Sequence, residues 1–411
     1  MTTATARRTA TTIVPRPQAG AKRVALYYPW IYLTSGAERT ILELTARSRQ
    51  DWTIFTNHFE PDATFPGFAD RRIVRLGDVA VRRSMGAVAA AAWRIGVQRL
   101  PIDGYDALVV LCEGVGDLAL FRSCVRPAYC ICLTPLRAAF DAEYRRRAER
   151  QRGPFARALL RAGLSAFRVA DRQAWKSYAR VFCISEEAKR RAIDGGLACD
   201  RRLEVVHPGL GIRGLAASDV FDPFFLVPGR IMWTKNVELA IEAFDRMERE
   251  ASAERVRTGF AQPFRLVIAG AVDRKSEAYL ARLRSLAARL PGVEFRIAPS
   301  DDELRALYRT CYAVLFPAFN EDWGIVPIEG MSFGKPVVAT NRGGPLEIVR
   351  PGVDGFLEEP DPTAFAGRML ELAHSLPFAR RLGRAAFIRS QDFSWDTFAA
   401  RIDQAIEEGT V

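Results

Sequence analysis

Residues 313–340 read AVLFPAFNEDWGIVPIEGMSFGKPVVAT. The stretch opens on an apolar run, 313–317, with the length and β-branched content of a buried strand. Gly324 and Pro327 then mark a tight turn into a helix, proline being favoured at a first helical position, and Gly334 ends it. PVVAT, 336–340, supplies the next apolar run. Strand, helix and strand in that order form a crossover unit with parallel strands.

The same alternation extends in both directions. In the second half, runs at 224–229, 264–270, 293–298 and 355–358 are separated by helical stretches such as 236–250 and 275–289. In the first half they fall at 23–28, 52–57, 72–77, 107–112, 128–133, 180–185 and 203–207. This pattern predicts an α/β protein of two doubly wound, Rossmann-like parallel-sheet domains. Residues 208–222, PGLGIRGLAASDVFD, carry neither period and read as the link between them. The expected division is a loose tail over 1–20, one domain over 21–212, a second over 213–390 and a last segment over 391–411. Two such domains place a ligand cleft at the carboxyl ends of their strands.

At 411 residues the chain exceeds the usual size of one domain, and its 49% hydrophobic and 26% charged content excludes collagenous and wholly disordered classes. The most apolar stretches, near 86–98 and 107–121, are interrupted by Arg94, Glu113 and Asp117, so neither makes a membrane span. Residues 1–20, rich in Thr, Ala, Arg and Pro, lack the apolar core of a secretory signal. The seven cysteines show no CxxC spacing, Cys130 and Cys132 alternating along a strand, and His58, His207 and His374 are widely separated. Reduced, buried thiols in a cytoplasmic protein with no metal site are therefore expected.

The formal charge of +11 is concentrated at 143–180, where eleven basic side chains outnumber Glu143, Glu149 and Asp171 by eight. Phe155, Leu159, Leu160, Leu164 and Phe167 interleave there at helical spacing. The stretch reads either as a solvated charged face or as a contact for an anionic membrane surface. No recognised nucleic-acid motif accompanies the charge, so no nucleic-acid partner is expected.

Glu321 stands just before the Gly324 turn and Glu329 eight residues later. The free N–H groups of that helix start can hold an anion. A capping box would explain Glu329 without function, but Val326 occupies the position that needs a hydroxyl or carboxamide. GRIMWTKN, 229–236, runs a strand into Gly229 and a loop carrying Arg230 and Lys235. Arginine offers phosphate a fork and lysine a point charge. With 53 arginines and six lysines in the chain, a lysine at 235 stands out. SGAER, 35–39, follows the first strand, and Gly36 lets the backbone approach a ligand. The chain has no GxxxxGK[ST], which argues against a P-loop reading. It also has no Asp-x-Asp, so a two-aspartate metal clamp for a diphosphate is missing.

Residues 224–398 resemble the donor domain of retaining GT-B glycosyltransferases of the group-1 family, also called glycogen-synthase-like or Glu-x7-Glu. The matching pieces are VPGRIMWTKNVELAIEAF, LVIAG, ELRALYRTCYAVLFPAFNEDWGIVPIEGMSFGKPVVAT, GGPLEIVRPGVDGFL and FSW. The resemblance implies that Arg230 and Lys235 hold a nucleotide diphosphate, while Gly229 and the backbone of Trp323, Gly324, Ile325 and Val326 cradle sugar and phosphate. Glu321 would bond sugar hydroxyls and Glu329 the ribose. SGAER is similar to the family's Gly-Gly-x-Glu loop, which faces the donor. CICLTPLRAAFD, 130–141, is similar to the Cys-x-His-Thr-Pro-x-Arg segment of mannosyltransferase-like members, with Arg137 at its arginine and Leu133 where they carry His. The donor-facing His that the family carries after its fourth strand is missing, and Glu113 stands nearby as a donor or acceptor contact.

The implied enzyme is a retaining, metal-independent hexosyltransferase. It would move a mannose- or glucose-like sugar from a nucleotide-diphosphate sugar, with no further cofactor, to a hydroxyl of a carbohydrate or lipid-linked acceptor in polysaccharide or glycolipid synthesis. The second domain would bind donor and the first acceptor, with 391–411 packing back toward the first. The missing His leaves open a catalytically silent nucleotide-sugar-binding protein, and the fold also serves hydrolases and epimerases. The expected location is cytoplasmic, peripheral on the inner face of the plasma membrane.

Overall fold

The computed structural model describes residues 20–81, 84–123, 125–150, 152–258 and 263–409. The tail expected over 1–20 lies outside them, Gly20 apart. The chain divides into two compact units. Unit 1 holds the chain up to Ile184, Ala188–Val206 and the segment from Trp395 onward, and unit 2 holds Ser185–Glu187 and His207–Ser394.

Unit 1 is built on one sheet of β1 (Arg23–Tyr27), β2 (Asp51–Thr56), β3 (Ile73–Arg75), β4 (Ala107–Cys112), β5 (Ala128–Cys132), β6 (Arg180–Cys183) and β7 (Leu203–Val205). Their order is β3-β2-β1-β4-β5-β6-β7, and all the pairings are parallel. β4 and β5 are buried along their whole length, which is why they read as unbroken apolar runs rather than as alternation. Helix α1 (Gly36–Arg47) starts where the Ser35 hydroxyl accepts from the Ala37 N–H, and α2 (Pro154–Trp175) starts on a proline. On α2, Leu160, Leu164 and Phe167 pack with Ala139 and Phe140 of the short helix Arg137–Phe140, whereas Phe155 is 84% exposed and Leu159 56%. The five apolar residues that looked like one stripe are thus split between a small core and the surface.

Unit 2 repeats the plan with β8 (Phe224–Pro228), β9 (Arg265–Gly270), β10 (Val293–Ile297), β11 (Ala313–Phe316), β12 (Val337–Thr340) and β13 (Gly355–Glu358). Their order is β10-β9-β8-β11-β12-β13, again all parallel, so the chain turns from one side of the sheet to the other between β8 and β11. Ligands bind outside the carboxyl ends of strands at such a reversal. Phe225, Ile241, Phe244, Leu283, Phe365 and Met369 anchor the core. Helix α3 (Ile325–Ser332) follows β11. It begins two residues before Pro327, because Gly324, at φ +105°, makes the turn that a residue with a side chain would resist.

The last helix, α4 (Trp395–Glu408), lies in unit 1. Buried Asp403 accepts from the Ser48 hydroxyl and from the Arg49 N–H at 2.8 Å, and the Tyr129 hydroxyl donates to the Ala405 carbonyl at 2.8 Å. The units meet in sequence at 206/207 and 394/395 rather than at 212/213 and 390/391. The cause is local bonding. The Ile212 and Gly214 N–H groups donate to Glu329 and Ser332, and the Phe393 ring packs on Trp323, so both short segments belong to unit 2. Among the described residues no helix is long and apolar enough to cross a membrane.

Candidate functional site

Adjacent strands β8 and β11 end in the two loops that carry the residues singled out in unit 2. β8 runs into Gly229, whose φ of +117° turns the chain toward exposed Arg230. A side chain built on Gly229 would come within 3.6 Å of Val326 at the start of α3, so the two loops converge there. A 3-10 turn, Trp233–Lys235, closed by Asn236 in the left-handed region, aims Lys235 back across the strand ends. Its Nζ lies 3.0 Å from Glu321 Oε2, with the two side chains 19% and 28% exposed, and 5.4 Å from the centre of the Phe316 ring. The Phe319 N–H donates to the Thr234 carbonyl at 2.9 Å, which fixes one loop to the other.

Behind Glu321 lies a pair of glycines that only glycine could fill. The Gly344 N–H donates to the Glu321 carbonyl at 2.8 Å, and Glu321 bridges to Gly343. A Cβ at Gly343 would stand 2.1 Å from the Glu321 carbonyl oxygen, and one at Gly344 1.7 Å from that of Trp323. The close approach holds 321–323 in place so that Gly324 can turn into α3. The first N–H groups of α3, at Ile325 and Val326, have no acceptor within their own helix and carry its positive end. Lys235, Glu321, Gly229 and the 323–326 backbone are therefore brought together, with Arg230 beside Gly229.

Glu329 sits elsewhere. It is buried, its Oε1 accepts the Ile212 N–H at 2.9 Å and its Oε2 accepts the Tyr308 hydroxyl at 2.8 Å. Burial, reinforced by Glu329, pushes the Tyr308 phenol well above its ordinary range, so it stays a donor. Trp323 is buried as well. His207 stacks on it at 4.5 Å and 13°, Phe393 meets its edge at 5.3 Å, and Glu347 holds His207 Nε2 at 2.9 Å. His207 and Tyr308 were not singled out from sequence. The only signal for His207 was its rarity in the chain, at the head of the HPG stretch.

In unit 1, Gly36 opens α1, and a side chain built there would meet nothing within 4 Å. Two residues on, buried Glu38 accepts from the Leu33 N–H at 3.2 Å and from the Ser35 hydroxyl, so SGAER is tied as a helix cap. Exposed Glu113 accepts from the buried Tyr28 hydroxyl at 2.9 Å. Burial, with Glu113 adding to it, raises the Tyr28 phenol well above its usual range. Arg137 donates from two nitrogens to Asp141 Oδ2, at 2.8 and 3.2 Å, and so is held by its own helix.

Residues 216–389 match the family model described as glycosyl transferases group 1. Over 403 residues the chain is 25% identical to the alpha-1,3/1,6-mannosyltransferase ALG2 of Mus musculus, covering 90% of this chain and 92% of that one. It is 30% identical over 220 residues to the D-inositol 3-phosphate glycosyltransferase of Streptomyces scabiei, covering 48% and 47%. Among solved structures, Anabaena Alr3699/HepE in complex with UDP and glucose aligns with a TM-score of 0.68 at 18% identity, covering 94% of this chain and all of that one. WaaG, a glycosyltransferase involved in lipopolysaccharide biosynthesis, aligns at 0.66 and 16%, over 94% of this chain. Such likeness shows the GT-B fold, with its two Rossmann-like domains.

Proposed function

We propose, from the match of residues 216–389 to the group 1 glycosyl transferases, that this chain transfers a mannose- or glucose-like hexose from a nucleotide-diphosphate sugar to a hydroxyl acceptor with retained configuration. The observation that carries the reading is the convergence of Lys235, Glu321 and the α3 N-terminus at the ends of β8 and β11. Similarity to a mannosyltransferase over most of the chain supports the hexose, and the UDP and glucose bound to a structural neighbour support the donor class.

Breaking the bond between the sugar's anomeric carbon and the diphosphate oxygen leaves the electron pair on that oxygen. Negative charge grows there, and Lys235, Arg230 and the Ile325 and Val326 N–H groups are the positive groups that would meet it. No divalent ion is needed for this step. The incoming hydroxyl bonds to the anomeric carbon on the face the phosphate vacates and gives its proton to the departing oxygen, which accounts for retention. Glu321 accepts from sugar hydroxyls and, by pairing with Lys235, holds the ammonium in place before donor arrives. Glu329 accepts from the ribose alongside the Ile212 N–H and the Tyr308 hydroxyl that it already holds.

Unit 2 takes the donor and unit 1 the acceptor, with Glu113 and Arg137 as donor or acceptor contacts of unit 1. The acceptor is a carbohydrate or lipid-linked hydroxyl. Exposed Phe155 and Leu159 among the basic residues of 143–180 suit an anionic membrane, which would make the protein a peripheral one on the cytoplasmic face. Incubation with a panel of nucleotide-diphosphate hexoses tests the reading. Nucleoside diphosphate release that depends on acceptor supports it, whereas binding without turnover or release without acceptor contradicts it.

A further inference from the structure

Three strands of unit 1 gather cysteines that lie apart in the chain. In the sheet register Cys112 of β4 pairs with Cys132 of β5, and Cys132 with Cys183 of β6. Cys130, two residues earlier on β5, points to the same face as Cys132. All four are fully buried, free thiols. The 3-10 segment Gly116–Phe121 brings Asp117 to this group, its Oδ2 2.9 Å from Cys112 Sγ. The Cys112 and Cys130 sulfurs and an Asp117 oxygen all lie within 4.8 Å of one another.

A second carboxylate stands beside them. Asp171 of α2 is 1% exposed, and neither of its oxygens has a hydrogen-bond partner. It is near enough for its charge to act on both Cys112 and Asp117. Asp117 is bonded by the Tyr178 hydroxyl and by Cys112. No ion pair reaches either carboxylate among the described residues. Packing accounts for buried thiols but not for a buried carboxyl with neither oxygen bonded, since an unpaired buried polar group is costly.

The donor set names what would compensate it. With metal–sulfur bonds of about 2.3 Å and metal–oxygen bonds of about 2.0–2.2 Å, tetrahedral ligand atoms sit roughly 3.5–3.8 Å apart. The three atoms, all within 4.8 Å of one another, reach that spacing once Cys112 Sγ and Asp117 Oδ2, 2.9 Å apart as hydrogen-bond partners, separate by about 0.6 Å. Thiolates favour Zn²⁺ over Mg²⁺ or Ca²⁺, which prefer oxygen. We propose that Cys112, Cys130 and Asp117 give three ligands of a buried structural site for Zn²⁺, with the unpartnered carboxylate of Asp171 beside them as the fourth. Such an ion would tie β4, β5 and the 3-10 segment together directly beneath Glu113, the residue after Cys112. It is separate from the donor chemistry in unit 2.

The test is metal content and spectroscopy on the full chain. Protein grown with zinc and passed through a desalting column should keep about one equivalent, released only by denaturant with chelator, because a closed site forms with the fold. Refolding with Cd²⁺ should give a thiolate-to-cadmium charge-transfer band in the ultraviolet that saturates at one equivalent. Cys112→Ala and Cys130→Ala should each drop retained metal to below about a tenth, while Cys199→Ser, at an exposed cysteine, should leave it unchanged. If the two alanine variants fail to fold, the wild-type zinc content and cadmium band decide alone. Wild-type protein that retains no zinc and shows no cadmium band overturns the proposal, as does a folded Cys112→Ala, Cys130→Ala double variant that keeps its metal.

Discussion

Replacing Lys235 by alanine separates a catalytic role from a structural one. The ammonium stands 3.0 Å from Glu321 in a partly solvated pair. At an effective dielectric of about 20 the gross attraction at that distance is about 5.5 kcal/mol. Solvation and side-chain ordering reduce the net contribution of such a pair to about 1 kcal/mol or less. Lys235→Ala should therefore lower folding stability only slightly. In the transition state the same ammonium meets charge that is absent from the resting protein, and loss of one such stabiliser lowers turnover by about 10²- to 10³-fold, about 3–4 kcal/mol. The expected signature is a small change in melting temperature beside a large fall in kcat. Lys235→Arg, which keeps charge in a different shape, should recover part of it. The assay is donor-dependent release of nucleoside diphosphate, with melting followed on the same samples. Wild-type kcat in a folded Lys235→Ala variant refutes the leaving-group role, and a loss of stability as large as the loss of rate refutes the distinction drawn here.

Arg230→Ala should lower turnover by the same order, about 10²- to 10³-fold, with little effect on folding because the side chain is exposed; unchanged kinetics would remove it from the site. Glu321→Gln should lower turnover more than it weakens binding of bare nucleoside diphosphate, whereas Glu329→Ala should weaken that nucleotide itself and also destabilise the fold by about 2–4 kcal/mol. The second effect arises because the Ile212 N–H and Tyr308 hydroxyl lose their acceptor, and calorimetry with melting curves distinguishes the two variants. Excess EDTA should leave transfer intact, since an ion enclosed with Cys112 would not exchange from native protein; abolition by EDTA with rescue by Mg²⁺ or Mn²⁺ counts against a metal-free departure. Changing exposed Arg146, Arg147 and Arg150 to Glu should reduce co-sedimentation with anionic vesicles, each basic residue near the surface contributing about 1 kcal/mol before screening. An unaltered bound fraction makes that surface a solvated one.

The sheets were legible because their strands are short, apolar and punctuated. A run such as ALVVLC at β4 is buried on both faces and so keeps no alternation to misread. Loops that approach at strand ends were legible only as separate motifs. Nothing in GRIMWTKN names Glu321 as the partner of Lys235; the pairing follows from β8 lying next to β11 in the sheet order. The same holds for His207 on Trp323 and for Glu329, whose partners come from a linker and from another helix. The start of α3 was read from Pro327, but the positive φ of Gly324 set it earlier. Cysteine spacing gave no sign of this cluster, because pairing of β4 with β5, which sets Cys112 opposite Cys132 and near Cys130, brings the thiols together rather than a local motif. Local chemistry marks elements and turns, and sheet order decides which marked residues meet.

The central claim is that unit 2 binds a nucleotide-diphosphate hexose at Lys235, Glu321 and the α3 N-terminus for transfer. A melting-shift screen of such donors, repeated on Lys235→Ala, tests it most directly. One donor should stabilise the wild type, a ligand at 100 times its Kd adding about 2.7 kcal/mol. That shift should shrink in the variant, and the same donor should release nucleoside diphosphate only with acceptor present. A panel in which no donor shifts the wild type, or in which the shift is equal in both proteins, contradicts the account.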